Sequence, residues 1–275
     1  MSIATRLFDR GDAYVQKTVM GSLATFGRAV QLSVATVVLG GRDIVRRRFP
    51  VRDFVSLTWF MITVTATPTI LVSIPFGVIV SVQVGSLTQQ VGATSISGAA
   101  GGLGVIQQGA PMVAALLLGG AAGAAVAADL GARILREEID ALRTMGIDPI
   151  RRLVAPRVAA MLVVGPLICA LTIIMGLATG FVVAVTVQGV APGSYLMSFA
   201  SFASFTDIAI ALGKSMVFAA VVAVVACQRG METKHGAKAV ADSVNASVVI
   251  GVVAAFALNL AITQVTTMFF PPRVL

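Results

Sequence analysis

The chain has 275 residues, of which 57% are hydrophobic and only 12% charged, with a formal net charge of +8. Soluble domains carry roughly 25% charged residues, so this composition excludes a soluble globular enzyme and points to a lipid bilayer. The positive charge does not describe a nucleic-acid surface, because lysine and arginine fall in separate clusters between apolar runs.

Residues 1–52 read as an N-terminal cytoplasmic and interfacial helical segment. Its first twenty residues lack an apolar core followed by a cleavage site, so no removable signal peptide is expected. Residues 21–39 are apolar but hold Arg28 and Gln31 near their middle. A charge at bilayer depth costs about 2.5–3.5 kcal/mol, so an interfacial helix is expected there rather than a span. The basic run of residues 42–52 follows and suits the anionic cytoplasmic headgroups.

Residues 53–275 read as one transmembrane domain. Crossing a hydrocarbon core of about 30 Å takes about 20 apolar residues, and five runs meet that need: 55–84, 105–128, 158–187, 208–227 and 247–269. The first and third are long enough that they must tilt, kink or project, at roughly 1.5 Å per residue. In the first, Pro68 and Pro75 remove backbone donors and mark the expected kinks. Residues 92–104, rich in glycine and serine, read as an external linker, with re-entry into the membrane left open. Gly119 with Gly123, and Gly176 with Gly180, place small residues four apart for close helix packing within the second and third spans.

Three basic clusters fall on one side of such a five-span chain. They are the N-terminal group (Arg6, Arg10, Lys17, Arg28, Arg42, Arg46, Arg47, Arg48, Arg52), residues 129–157, and a short loop with Arg229, Lys234 and Lys238. The linkers on the other side have no lysine or arginine. The positive-inside rule then puts the N-terminus in the cytoplasm and the C-terminus outside. Lys214, at the outer start of the fourth span beside Asp207, is the charged group expected nearest a transport path, with an ion pair anchoring the helix end as the alternative. Cys169 and Cys227 both lie in apolar runs, which favours buried thiols over a disulfide.

Residues 129–157 form the one charge-dense island between long apolar stretches. On a helix, Leu130, Ile134, Leu135, Ile139, Leu142 and Met145 share an apolar arc, with Asp129, Arg133, Arg136, Glu137, Asp140 and Arg143 opposite. Arg133 with Glu137, and Arg136 with Asp140, are expected as i,i+4 pairs. Glu138 falls inside the apolar arc. Gly146 can close this helix, Asp148 can cap the next, and Pro149 suits its first turn. Lipid attachment alone favours basic residues over acids, so the mixture of both signs favours a protein partner.

The string EEIDALRTMGIDPIRRLVAPR, preceded by ADLGAR, resembles the MlaE/YrbE family of ABC-transporter permeases, and most the YrbE proteins of actinobacterial Mce systems. The resemblance covers nearly the whole chain after about Arg42. It implies an all-α membrane protein of five transmembrane helices with an N-terminal interfacial helix and a cytoplasmic coupling helix. By that resemblance Arg136, Glu137, Glu138, Asp140, Met145, Asp148, Pro149, Arg152 and Arg157 would form the coupling element that meets a partner ATPase. It further implies a second homologous permease, Mce-domain proteins on the outer side, a lipid substrate, and a bacterial plasma membrane. ATP and magnesium would belong to the ATPase, since this chain holds no Gly-x-x-x-x-Gly-Lys-Ser/Thr loop; no catalytic residue, metal or cofactor is expected in it.

One region departs from the family pattern. Gram-negative relatives carry an acid before Gly-Pro and an arginine within AGRxG, where this chain has Gln108 and Ala121. A charge-based gate is thus not expected there, and the substrate is expected to be apolar and held mainly by packing, with Gln108 as a path-lining candidate. Two other classes stay open: a secondary transporter, which would need ionisable residues within its spans, and a scaffold without a motor, which would tolerate damage to the island.

Overall fold

The computed structural model describes residues 27–42, 49–93, 96–234 and 236–269. The basic residues Arg6, Arg10, Lys17, Arg46, Arg47 and Arg48, and His235, lie outside these. All regular structure among the described residues is helical. In chain order it comprises α1 (27–42), α2 (Val51–Gln90), α3 (Ser97–Leu135), α4 (Glu138–Thr144), α5 (Ile150–Thr186), α6 (Pro192–Phe202), α7 (Phe205–Met231) and α8 (Ala237–Phe269). Five of these, α2, α3, α5, α7 and α8, are long and apolar enough to cross a membrane. They alternate in direction, so one end of the bundle gathers the charged island and the other gathers α6.

Burial ranks the spans. Over its most apolar window α3 is 61% buried, whereas α2 and α8 are 22% buried. Helix α3 is therefore central, and the outer two keep most of their apolar surface for lipid or a second subunit. The core runs through Ile106, Leu118 and Leu130 of α3, Met161, Val164 and Ile168 of α5, and Val222 of α7. Cys169 and Cys227 are buried and unbridged.

Helix α2 is one continuous helix of 40 residues despite Pro68 and Pro75. Its buried stripe repeats every four residues: Met61, Thr65, Thr69, Ser73, Gly77, Ser81 and Gly85. The hydroxyls of Thr65, Thr69 and Ser73 donate to the carbonyls four residues earlier at 2.6–2.7 Å, which satisfies them inside the helix. Small residues let α2 and α5 approach closely. A Cβ added to Gly77 would lie 2.6 Å from the Gly176 carbonyl oxygen, and Ser81 donates to the Gly180 carbonyl at 3.0 Å. A Cβ on Gly176 would lie 3.0 Å from Val105, one on Gly119 3.3 Å from Val252, and one on Gly123 3.2 Å from Val222.

The glycine-rich stretch expected as a linker is largely helix. From Ser97 it continues without a break into the second span, and Ser97, Gly98, Gly101 and Gly102 are buried. The reason is packing: α6 lies against it, with Tyr195 over Gly98 and the Phe199 ring over Gly102. Glycine here supplies close approach, which its low helix propensity had masked. The same substitution should therefore have opposite signs one turn apart. Gly98→Ala would set a Cβ 2.3 Å from the Tyr195 carbonyl and should destabilise, while Gly101→Ala meets nothing within 4 Å and should gain about 0.5–1 kcal/mol from helix propensity. Thermal midpoints of the two purified variants check this.

Helix α1 lies across the charged end. Gly40 meets Ala155 at the start of α5, and Arg28 pairs with Glu232 just after α7 at 2.6 Å.

Candidate functional site

The island does not form the single amphipathic helix its periodicity suggests. Span α3 runs on to Leu135, and the chain then breaks at Arg136 and Glu137 before α4 begins. Glu137 has φ of 58°, in the left-handed region, and is the one non-glycine residue there among those described. Its amide still donates to the Ile134 carbonyl at 2.9 Å, and its carbonyl accepts from Ala141 at 3.0 Å. The break is thus a hydrogen-bonded hinge.

That hinge rewires the charges. The expected Arg133–Glu137 and Arg136–Asp140 pairs are absent because the helix does not continue through them. Arg133 instead binds Asp129 at 3.2 Å and Glu138 at 3.3 Å, Arg136 binds Glu138 at 3.0 Å, and Arg143 binds Asp140 at 2.9 Å. Glu138, misplaced on a straight helix, is turned by the hinge to sit between two arginines. Left-handed backbone in a non-glycine residue costs about 1–3 kcal/mol, so Glu137→Gly should stabilise the protein by a net of about 1 kcal/mol once glycine's added chain entropy is counted, which a raised thermal midpoint checks.

The other end of α4 follows the sequence closely. Gly146 has φ of 73°; its amide donates to Arg143 and that of Ile147 to Leu142 at 2.9 Å, which closes α4 as a Schellman turn. Asp148 Oδ1 accepts the Ile150 amide at 2.9 Å and caps the next helix, with Pro149 in its first turn. Ile139 of α4 is buried, and Ile134 and Leu142 pack on the core. Leu135, Met145 and Ile147 remain exposed, Met145 at 63%, beside exposed Arg136, Asp140 and Arg143.

Two ion pairs brace the spans to one another beside this element. Arg152 reaches Asp53 at the start of α2 at 3.2 Å. Arg157 pairs with Asp129 and also donates to the Leu153 carbonyl at 2.6 Å. Arg157 is only 4% exposed, so it is a buried brace between α3 and α5 and offers no surface to a partner. Asp53 and Asp129 were not singled out as site residues in the sequence, since their partners lie about 100 and 28 positions away.

A second polar site lies at the opposite end of the bundle. A cleft of about 430 Å³ opens between α3, α7 and α8, lined in part by Gln107, Gln108, Asp207, Lys214 and Thr263. Lys214 does not pair with Asp207. Ser204 and Asp207 instead form a capping box at the start of α7, with Asp207 accepting the Ser204 amide at 3.0 Å and the Gln107 side-chain amide at 2.9 Å. Lys214 Nζ donates to the Gln107 carbonyl at 3.2 Å and to Thr263 Oγ1 at 3.0 Å. Pro111 explains the first bond: it has no N–H to give the carbonyl four residues before it, so Gln107 can accept from a side chain. Gln108 donates to Thr263 at 3.4 Å and accepts from Asn259 at 3.3 Å.

The comparisons with known proteins agree with this architecture. The family model described as Permease MlaE matches residues 54–265. A probable ABC transporter permease protein from Synechocystis sp. is 33% identical over 183 residues, which are 66% of this chain and 70% of the relative. The chloroplastic protein TRIGALACTOSYLDIACYLGLYCEROL 1 of Arabidopsis thaliana is 33% identical over 146 residues, 53% of this chain and 42% of that protein. A probable ABC transporter permease protein from Rickettsia typhi is 29% identical over 154 residues, 56% of this chain and 60% of the relative. The matched family is one of membrane permease subunits and not of enzymes. With five spans and a family match over most of its length, this chain belongs to the MlaE family of ABC transporter permeases.

Proposed function

We propose that this chain is the membrane subunit of an ATP-driven lipid transporter of Mce type in a bacterial plasma membrane. It works beside a second homologous permease, two cytoplasmic ATPase subunits bind at the island end, and Mce-domain proteins meet the opposite, outer end. The observation that carries this reading is the island itself. It presents Leu135, Met145 and Ile147 to solvent amid charges of both signs, the composition of a protein-docking surface rather than of a lipid-facing one. The lipid class draws support from the diacylglycerol lipid in the name of the Arabidopsis relative.

Motion would enter at the hinge. When the ATPases close, α4 is displaced; it joins α3 at one end and α5 at the other, and those two spans are braced to each other by Asp129–Arg157 and α5 to α2 by Asp53–Arg152. Co-purification with the candidate ATPase, reconstitution in liposomes and transfer of a labelled lipid test the whole. Hydrolysis that lipid does not stimulate, with no transfer, would sink the reading in favour of a passive scaffold.

Orientation has its own check. The native cysteines are buried, so a single exposed reporter gives a clean signal. Met197→Cys, 74% exposed in α6, should label with a membrane-impermeant maleimide from outside intact cells, and Asp140→Cys only after lysis; the reverse pattern would invert the topology.

A further inference from the structure

Where α6 meets the outer ends of α2, α3 and α5, the packing of small residues leaves a cavity of about 10 Å³, lined in part by Gly77, Ser81, Ser97, Gly180, Gln188 and Tyr195. Several polar groups on this lining satisfy one another. The Gln188 side-chain amide donates to the Ser81 carbonyl at 2.7 Å, and the Ser81 hydroxyl donates to the Gly180 carbonyl at 3.0 Å. Ser97 is the exception: it is 5% exposed, and its hydroxyl has no hydrogen-bond partner among the described residues. Burying an unpaired hydroxyl is costly, and buried polar groups nearly always find a partner in protein or in ordered water. Two more polar atoms face the same space. The hydroxyl of Tyr195, itself 6% exposed, lies 3.7 Å from where a Cβ on Gly180 would stand, and the Gly77 carbonyl oxygen lies 3.9 Å from that point. A carbonyl bonded within its helix keeps a second lone pair.

We propose that one water molecule is bound in this cavity and bridges the Ser97 hydroxyl, the Tyr195 hydroxyl and the Gly77 carbonyl. About three partners are usual for a buried water, and roughly 10–15 Å³ is the space that one needs. The volume excludes a larger ligand, and the lining holds no carboxylate to balance a metal cation. The water supplies the polar part of the attachment of α6. That helix is joined to its neighbours by non-helical connections, with Gly189 at φ of 69° before it and extended backbone at Ala203 and Ser204 after it. Its place is therefore set by what it packs against. The Phe199 ring over Gly102 and the edge-to-face pair of Tyr195 with Phe181, 5.4 Å between centroids, are apolar contacts with little directional preference. A bridging water holds nearly as well as a direct hydrogen bond and is directional, so it fixes the register of α6 on α2 and α3.

Ser97→Ala in the purified full chain decides the matter by sign. Alanine is the better helix former at this first position of the helix, so removing an unpaired hydroxyl would raise the thermal midpoint. With the water in place, the loss of its partner should instead lower the midpoint by about 2–4 °C. Tyr195→Phe, which keeps the ring and its packing, should lower it by a similar amount. The double variant should lose little more than either single one, because both hydroxyls hold the same water. Amide hydrogen exchange locates the effect: in each variant α6 should exchange about 2- to 10-fold faster, with the island end unchanged. An unchanged or raised midpoint for Ser97→Ala overturns the proposal. So do additive losses, which would give the two hydroxyls separate partners, and so does a density map that resolves ordered water and shows none between them.

Discussion

Asp129→Ala should destabilise the protein by about 3–5 kcal/mol, while Arg157→Met, at the other end of the same ion pair, should cost under about 1.5 kcal/mol. The asymmetry follows from burial. Arg157 is 4% exposed, and its remaining acceptor is the Leu153 carbonyl. Removing Asp129 therefore strands a guanidinium in the core, where an unpaired charge is most costly. The Asp129 side chain is 41% exposed and already bound by Arg133 at 3.2 Å. Without Arg157 it keeps a partner and water, and methionine fills much of the vacated stem. The double variant Asp129→Ala plus Arg157→Met should recover most of the loss, because the stranded charge is gone. Denaturant unfolding in mixed micelles measures all three; equal costs for the two single variants would show that burial of Arg157 does not govern the pair.

The legible and illegible parts of this chain divide along physical lines. Five apolar runs were visible because hydropathy depends on composition over about 20 residues, and the observed spans contain nearly all of each run. The turn at Gly146, Asp148 and Pro149 was visible because each residue acts on its own backbone. The hinge at Glu137 was not. A glutamate has no preference for left-handed backbone, and a helical repeat continues on paper through any single break. Only Glu138, stranded in the apolar arc, signalled that the straight helix was wrong. Residues 97–104 misled for the opposite reason: glycine disfavours helix locally, yet the close approach of Tyr195 and Phe199 requires it. The cleft was half legible, since Lys214 and Gln108 stood out as polar groups within spans. Their partners Gln107, Asn259 and Thr263 are brought to them only by the packing of α3, α7 and α8.

Reversing both hinge acids, Glu137→Lys with Glu138→Lys, should weaken capture of the partner ATPase more than about 100-fold and abolish lipid-stimulated hydrolysis. The pair takes residues 129–157 from five acids and six bases to three acids and eight bases. Like charges brought together at an interface cost several kcal/mol, and each 1.4 kcal/mol is tenfold in affinity. The fold itself should survive. Glu138 binds Arg133 and Arg136 through side chains that are 33–62% exposed, and such partly solvated pairs contribute only about 0–1 kcal/mol each. Thermal midpoints within a few degrees of the parent would confirm that the chain is intact. Glu137→Gly separates charge from geometry: it relaxes the left-handed backbone and removes one charge without adding an opposite one. If capture survives the glycine variant and fails in the double lysine variant, charge at the hinge is what the ATPase reads. If capture and lipid-stimulated hydrolysis both survive the double reversal, the island is not the coupling element, and force must enter through another part of the charged end.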